Sequence, residues 1–215
     1  MINKSIFGKI ALVVVGALII PTFAVAQIKM GIILGFTGPI ESLTPDMGKS
    51  AELAFKEVSD SGQLLGGQKV NVVRGDSTCI DAAAASAAAE RLITSDKVVG
   101  IMGADCSGVT TAIANNVAVP NGVAMISPSA TSPALSTIAD NGYFFRTAPS
   151  DARQGQVLAE ITIERGINNV AVTYINNDYG KGLSDSFINA YKGLGGKISA
   201  VVPHEADKAD FSAEV

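Results

Sequence analysis

From residue 28 onward the chain alternates short β-branched runs with longer amphipathic or alanine-rich runs, and this alternation constrains the fold more than any other feature. Strand–helix repeats of this kind build a mainly parallel sheet with helices packed on it, an α/β architecture of Rossmann-like lobes. Strands are predicted over 28–34, 69–74, 98–102, 124–127, 143–146, 169–175 and 197–202, and helices over 47–59, 81–95, 109–117, 151–165 and 180–194. Asp81 stands where a helix N-cap belongs, with its acid at the positive end of the helix. The alanine-rich turns behind it read as a close-packing surface of high helix propensity.

The texture changes between Phe145 and Gln156, where Pro149 ends a strand and Asp151 opens a helix. This marks the crossing from a first lobe, 27–147, to a second, 148–215. The second lobe holds two predicted strands. Two strands make a poor sheet, so this lobe is expected to be incomplete in the chain as it stands.

The first residues carry an address. Lys4 and Lys9 precede and flank an apolar run over 10–20, Pro21 breaks it, and Ala24-Val25-Ala26 offers a small-residue cleavage site. That order is a secretory signal peptide over 1–26. The apolar run is about half of the roughly 20 residues that span a bilayer, which argues against a permanent anchor. With the leader removed, 14 basic residues face 20 acidic ones, a net charge of −6. This acidic balance, without a basic run, argues against nucleic acid or an anionic membrane surface as the main partner. An apolar fraction of 47% supports a buried core and excludes a disordered chain. The expectation is a soluble protein of the periplasm.

The two cysteines, Cys79 and Cys106, both lie in the exported part, and an even count there favours a disulfide over free thiols. Metal binding and redox catalysis are disfavoured, because there is no Cys-x-x-Cys and the sole histidine is His204. No cofactor or metal is expected.

In an open parallel sheet, ligands sit beyond the carboxyl ends of the strands. Four loops occupy such places: Gly35 to Pro39, Gly103 to Gly108, Ser127 to Pro133, and Asn176 to Gly180. Ser107 directly precedes a predicted helix, where it either holds an anion or only caps the helix. Ser129 and Thr131 lie between Pro128 and Pro133, which restrict the backbone. Together with Ser107 they can receive a carboxylate and an ammonium, or they form an ordinary Ser/Thr-Pro turn. Tyr179 either covers a ligand from the far side or packs into the second lobe. Asp151 caps the crossover helix or faces the cleft, and the cap is the safer assignment.

Enzyme chemistry finds little support. Ser107 stands in Asp-Cys-Ser-Gly rather than Gly-x-Ser-x-Gly, and His204 lies near a predicted strand end far along the chain. The loop Gly35-Phe36-Thr37-Gly38 lacks the spacing and the lysine of a P-loop.

The ordered set of these loops resembles the leucine/isoleucine/valine-binding protein family of type I periplasmic binding proteins, which serve ABC transporters. The likeness begins at Ile28-Lys29-Met30-Gly31 with Thr37-Gly38-Pro39. It continues through Asp76-Ser77-Thr78-Cys79 and Gly103-Ala104-Asp105-Cys106-Ser107. It then takes in Ser127 to Pro133, Phe145-Arg146-Thr147 with Asp151 and Gln154-Gly155, and Asp178-Tyr179-Gly180-Lys181-Gly182. The resemblance implies capture of a branched-chain or related amino acid between two lobes, delivery to a membrane permease, a monomer, and a Cys79–Cys106 disulfide. It implies ligand contacts at Ser107, Ser129, Ala130, Thr131 and Tyr179, with Cys106, Leu43 and Asp151 at the margin of the site. In these roles Ser107 and Thr131 take the α-carboxylate, while the Ser129 backbone and the Thr131 hydroxyl take the α-ammonium. Leu43 stands where the family often has an aromatic residue, and Ser129 where alanine is common. The pocket is therefore open to amides or aromatic acids as well, and the same fold also serves as an extracellular sensing module. The resemblance further implies that residues beyond Val215 complete the site.

Overall fold

A computed structural model describes residues 27–206 and 208–212. The leader expected over 1–26 lies outside the described residues. Among the described residues, seven strands form two parallel sheets. The first contains β1 (Ile28–Leu34), β2 (Val70–Asp76), β3 (Gly100–Gly103), β4 (Ala124–Ser127) and β5 (Phe144–Arg146), in the spatial order β2-β1-β3-β4-β5. The second pairs β6 (Asn169–Ile175) with β7 (Lys197–His204).

The order of the first sheet reverses at β1 and β3: the chain winds from β1 out to β2, then returns past β1 to β3 and on to β5. The loops leaving β1 and β3 consequently part in opposite directions, and a crevice opens between them. The interior strand β1 is buried on both faces, with Ile32, Ile33 and Leu34 fully enclosed. Leu92, Ile101, Val109, Ile113 and Met125 complete the core against α2 (Ala82–Thr94) and α3 (Ser107–Ile113), which continues as a π-helical segment, Ala114–Ala118. Asp81 caps α2 as its position in the sequence demands, accepting from the Ala83 and Ala84 N–H groups at 2.9 Å each.

Helix starts depart from the sequence expectation in bounds or in cap, as α3 already does by starting at Ser107 rather than 109. Helix α1 begins at Thr44 rather than 47 and runs to Ser61, because Pro45 fits the first turn and the Thr44 hydroxyl is buried, donating to the Gly35 carbonyl at 2.9 Å. Helix α4 (Asp151–Glu164) is capped by Ser150, whose hydroxyl accepts from the Ala152 N–H at 3.2 Å. Asp151 is therefore the first helical residue and not the cap. Helix α5 (Asp178–Gly193) starts before Tyr179, since Asn177 Oδ1 accepts from the Gly180 N–H at 2.8 Å and closes the first turn early.

Helices α4 and α5 pack with the second sheet around Ala159, Phe187, Ile188 and Tyr191. The rings of Phe187 and Tyr191 stack at 5.2 Å, and the Tyr191 hydroxyl donates to the Ile167 carbonyl at 2.7 Å. Where α5 meets the first sheet's loops, Gly182 allows the approach: a Cβ there would lie 2.8 Å from Pro133 Cδ and 3.0 Å from Ser132 Oγ.

Candidate ligand-binding cleft

At the carboxyl end of the first sheet, a buried carboxylate ties three loops together. Asp105, 4% exposed, accepts from the Gly35 N–H at 2.7 Å, the Ser77 hydroxyl at 3.2 Å and the Cys106 N–H at 2.9 Å. Three donors replace the water that burial removes. Gly103 just ahead of it has φ +132°, and a Cβ there would lie 2.0 Å from the Ile33 carbonyl oxygen, so only glycine fits. The disulfide Cys79–Cys106, with Cα atoms 5.2 Å apart, joins the loop after β2 to the residue preceding α3. A second carboxylate, Asp76, holds the loop after β1. Burial pushes its pKa up, but the Thr37 hydroxyl and the N–H groups of Thr78, Thr37 and Phe36 outweigh this and hold it below the ordinary aspartate value.

The hydroxyl residues then assemble in a defined sense. Ser107 is the first helical residue of α3, with Cys106 in the cap position, so it does not act as the helix cap. The residue is 2% exposed, and its Oγ accepts from the Thr131 N–H at 3.2 Å and the Ser132 N–H at 3.1 Å. A serine oxygen has two lone pairs and one proton, so two accepted bonds leave Ser107 as a donor. Thr131 is set the opposite way. Its hydroxyl donates to Asp151 Oδ2 at 2.7 Å, so what it offers a ligand is a lone pair. Ser129 behaves like Thr131, donating to the Asp105 carbonyl at 2.9 Å. One hydroxyl donor and two hydroxyl acceptors thus border the same space.

That space is a cleft of about 570 Å³ lined by residues from both sheets. From the first side come Leu43, Cys79, Ile80, Cys106, Ser107, Ser129 and Thr131, and from the second Asn176, Asp178, Tyr179 and Glu205. Leu43, Ile80 and Tyr179 are 63%, 51% and 41% exposed, three large apolar side chains converging on one opening. Such a grouping marks a surface that a ligand covers. Ala130 is elsewhere: its side chain is 1% exposed in the core, and its N–H donates to Ser127 Oγ at 3.0 Å. Asp151, also 1% exposed, lines a neighbouring hollow of about 440 Å³ and reaches the cleft only through Thr131. His204 lines a third hollow, behind Tyr179, and is not brought to Ser107's cleft.

Two residues were given no role by the sequence reasoning. Arg146 Nη1 donates to the Ser132 carbonyl at 2.8 Å and the Ala130 carbonyl at 3.3 Å, which splints the loop bearing Thr131. Glu205, the residue directly after β7, enters the cleft wall. Arg146 lies in the Phe145-Arg146-Thr147 motif, but nothing local shows that it reaches the Thr131 loop, and Glu205 lies in no loop motif.

The family profile for periplasmic binding proteins matches residues 27–215. The chain belongs to that family. Among curated relatives, the Leu/Ile/Val-binding protein homolog 1 of Brucella melitensis is 31% identical over 98% of this chain and 55% of its own length. Among solved structures, a leucine-binding protein of Thermotoga maritima has a TM-score of 0.74 at 29% identity, covering 87% of this chain and 51% of that one. The branched-chain amino acid transporter substrate-binding protein of Streptococcus pneumoniae, in complex with isoleucine, has a TM-score of 0.73 at 30% identity, covering 88% and 53%. The α/β fold of this chain is that of these type I structures. It spans about half the length of the curated relatives it matches.

Proposed function

We propose that this member of the periplasmic binding protein family captures a branched-chain or related α-amino acid and presents it to an ABC-transporter permease. The observation that carries the reading is the opposed polarity of the hydroxyl pair. Ser107 is left as a donor for a carboxylate, and Thr131 as an acceptor for an ammonium, 24 positions apart in sequence and joined by the Thr131 N–H to Ser107 Oγ bond. An α-amino-acid zwitterion carries the complementary pair, a carboxylate and an ammonium, on one carbon. The apolar rim of Leu43, Ile80 and Tyr179 supports a ligand with an aliphatic side chain.

Two lobes, 27–147 and 148–215, meet at the cleft in this reading, and the ligand favours the state in which they close on it. The reading includes no bond-making step, and the protein is a binder rather than an enzyme. The leader pattern at 1–26 and the family both support export to the periplasm.

Isothermal titration of the full-length gene product with leucine, isoleucine and valine tests this. One-to-one binding is expected, weakened at least about tenfold by Ser107→Ala, since a buried hydrogen bond to a charged group is worth roughly 1.5–3 kcal/mol. Absence of heat with every α-amino acid would overturn the assignment.

A further inference from the structure

We infer that Arg146 is a positioning residue of this cleft: its guanidinium, one layer behind the wall, lends positive character to the carboxylate end of the site through the Ala130–Thr131 peptide and the Ser107 hydroxyl. The inference rests on the amino-acid reading above and names a source for the charge that this reading needs.

The described residues lining the cleft include the carboxylates Asp105, Asp178 and Glu205 and no lysine, arginine or histidine. A carboxylate entering there is met by neutral donors, whose strength depends on what stands behind them. Strand register puts a cation in that place. Arg146 pairs with Ser127 across β4 and β5, so its side chain starts beside the residue that opens the loop from Ser127 to Pro133. It is half-buried, and its hydrogen bonds go to neutral acceptors: Nη1 donates to the Ser132 carbonyl at 2.8 Å and the Ala130 carbonyl at 3.3 Å, and Nη2 to the Ser136 hydroxyl.

The Ala130 carbonyl shares a peptide with the Thr131 N–H, which donates to Ser107 Oγ at 3.2 Å. A cation on the carbonyl oxygen makes that N–H a stronger donor. A serine oxygen that accepts a stronger bond becomes in turn a stronger donor through its own proton, and each bond of such a chain gains roughly 10–30%. The next peptide serves the same oxygen without a charge. Its Thr131 carbonyl accepts from the Asp151 N–H at 2.9 Å, and its Ser132 N–H donates to Ser107 Oγ at 3.1 Å. The Asp151 carboxylate faces the Thr131 hydroxyl and so belongs to the acceptor side of the site. Arg146 thus reaches Ser107 through one shared peptide without lining the cleft itself.

The experiment separates charge from shape. Arg146→Gln keeps an amide donor and removes the charge, whereas Arg146→Lys keeps the charge. Because Nη1 alone serves both carbonyls, an ammonium with its several donors can take over its bonds. Titration of the full-length protein with leucine should show a Kd raised at least about fivefold in the glutamine variant, part of the loss that a direct hydrogen bond to a charged group would give. The lysine variant should bind leucine at least about threefold more tightly than the glutamine variant, a rescue that a purely steric splint does not predict. In isotope-labelled protein without ligand, the Thr131 amide proton should move upfield in Arg146→Gln further than the Ser132 amide proton does. A rise below about fivefold with glutamine, or a lysine variant short of that rescue, overturns the inference while the amino-acid reading stands. Should the glutamine variant lose its cooperative urea transition, the lysine variant decides alone: a leucine Kd within about fivefold of the parent supports the relay, and a larger rise overturns it. Absence of leucine binding by the parent removes the amino-acid reading, and the Thr131 amide shift then decides the relay to Ser107, which falls if that proton does not move.

Discussion

The Thr131 hydroxyl donates to the Asp151 carboxylate at 2.7 Å, and the Asp151 N–H returns to the Thr131 carbonyl at 2.9 Å. This reciprocal pair spans the passage from the first sheet to α4 and fixes which way the threonine proton points. Asp151→Asn should break that assignment, because an amide can donate to Thr131 and turn its proton toward the cleft. The expected results are a loss of roughly 1–3 kcal/mol of stability, typical of a disturbed buried hydrogen bond, and weaker amino-acid binding. Urea unfolding and calorimetry together check it, and a variant with unchanged stability and affinity would remove Asp151 from the account.

Removing the disulfide reaches both stability and site. Cys79 and Cys106 close a sequence separation of 27 residues, for which the chain-entropy model gives about 3.5 kcal/mol. Cys79→Ser with Cys106→Ser should lower the urea midpoint accordingly. Ligand affinity should fall as well, because Cys106 immediately precedes Ser107. Unfolding of the parent protein with and without reductant should reproduce the stability loss.

Acid should loosen the loop after β1. The folded-state pKa of Asp76 lies below its ordinary value, so the unfolded chain binds the proton more readily. The resulting stabilisation is fully present above the unfolded value of about 3.9 and is lost as pH falls through the lower folded value. Glu52, held low by its hydrogen bond from the Arg74 guanidinium, acts with the same sign. Asp76→Asn should flatten the acid limb of a stability–pH curve, and an unchanged limb would contradict the Thr37 and Thr78 hydrogen bonds.

The contact between the two halves depends on a missing side chain. Gly182→Ala places a methyl group 2.8 Å from Pro133 and 3.0 Å from the Ser132 hydroxyl. The expected outcome is a shift of α5 away from the loop that carries Thr131, read as weaker ligand binding with little change in the core of either sheet. Amide exchange should rise over 131–136 and 178–184 alone, while uniform exchange across the chain would argue against a local contact.

How much of this was legible beforehand follows from distance along the chain. Strands β1, β4 and β6 have the bounds their β-branched runs predict, and Asp81 caps α2 as expected, because alternation and capping are encoded within a few residues. The cap of α4 shows the limit of local reading. Ser150 and Asp151 are both good caps, and the choice falls to Ser150 because Thr131, 20 positions earlier, engages the aspartate. The same applies to Ser107, whose role as a donor depends on N–H groups from the Thr131 loop. The sequence by itself determined the α/β class, the order of the loops and the presence of hydroxyls on them. Only the tertiary structure decided the direction of each hydroxyl proton, the separation of Asp151 from the cleft and the entry of Glu205 into its wall, since hydrogen-bond polarity is set by partners that the sheet order, not the local chain, brings together.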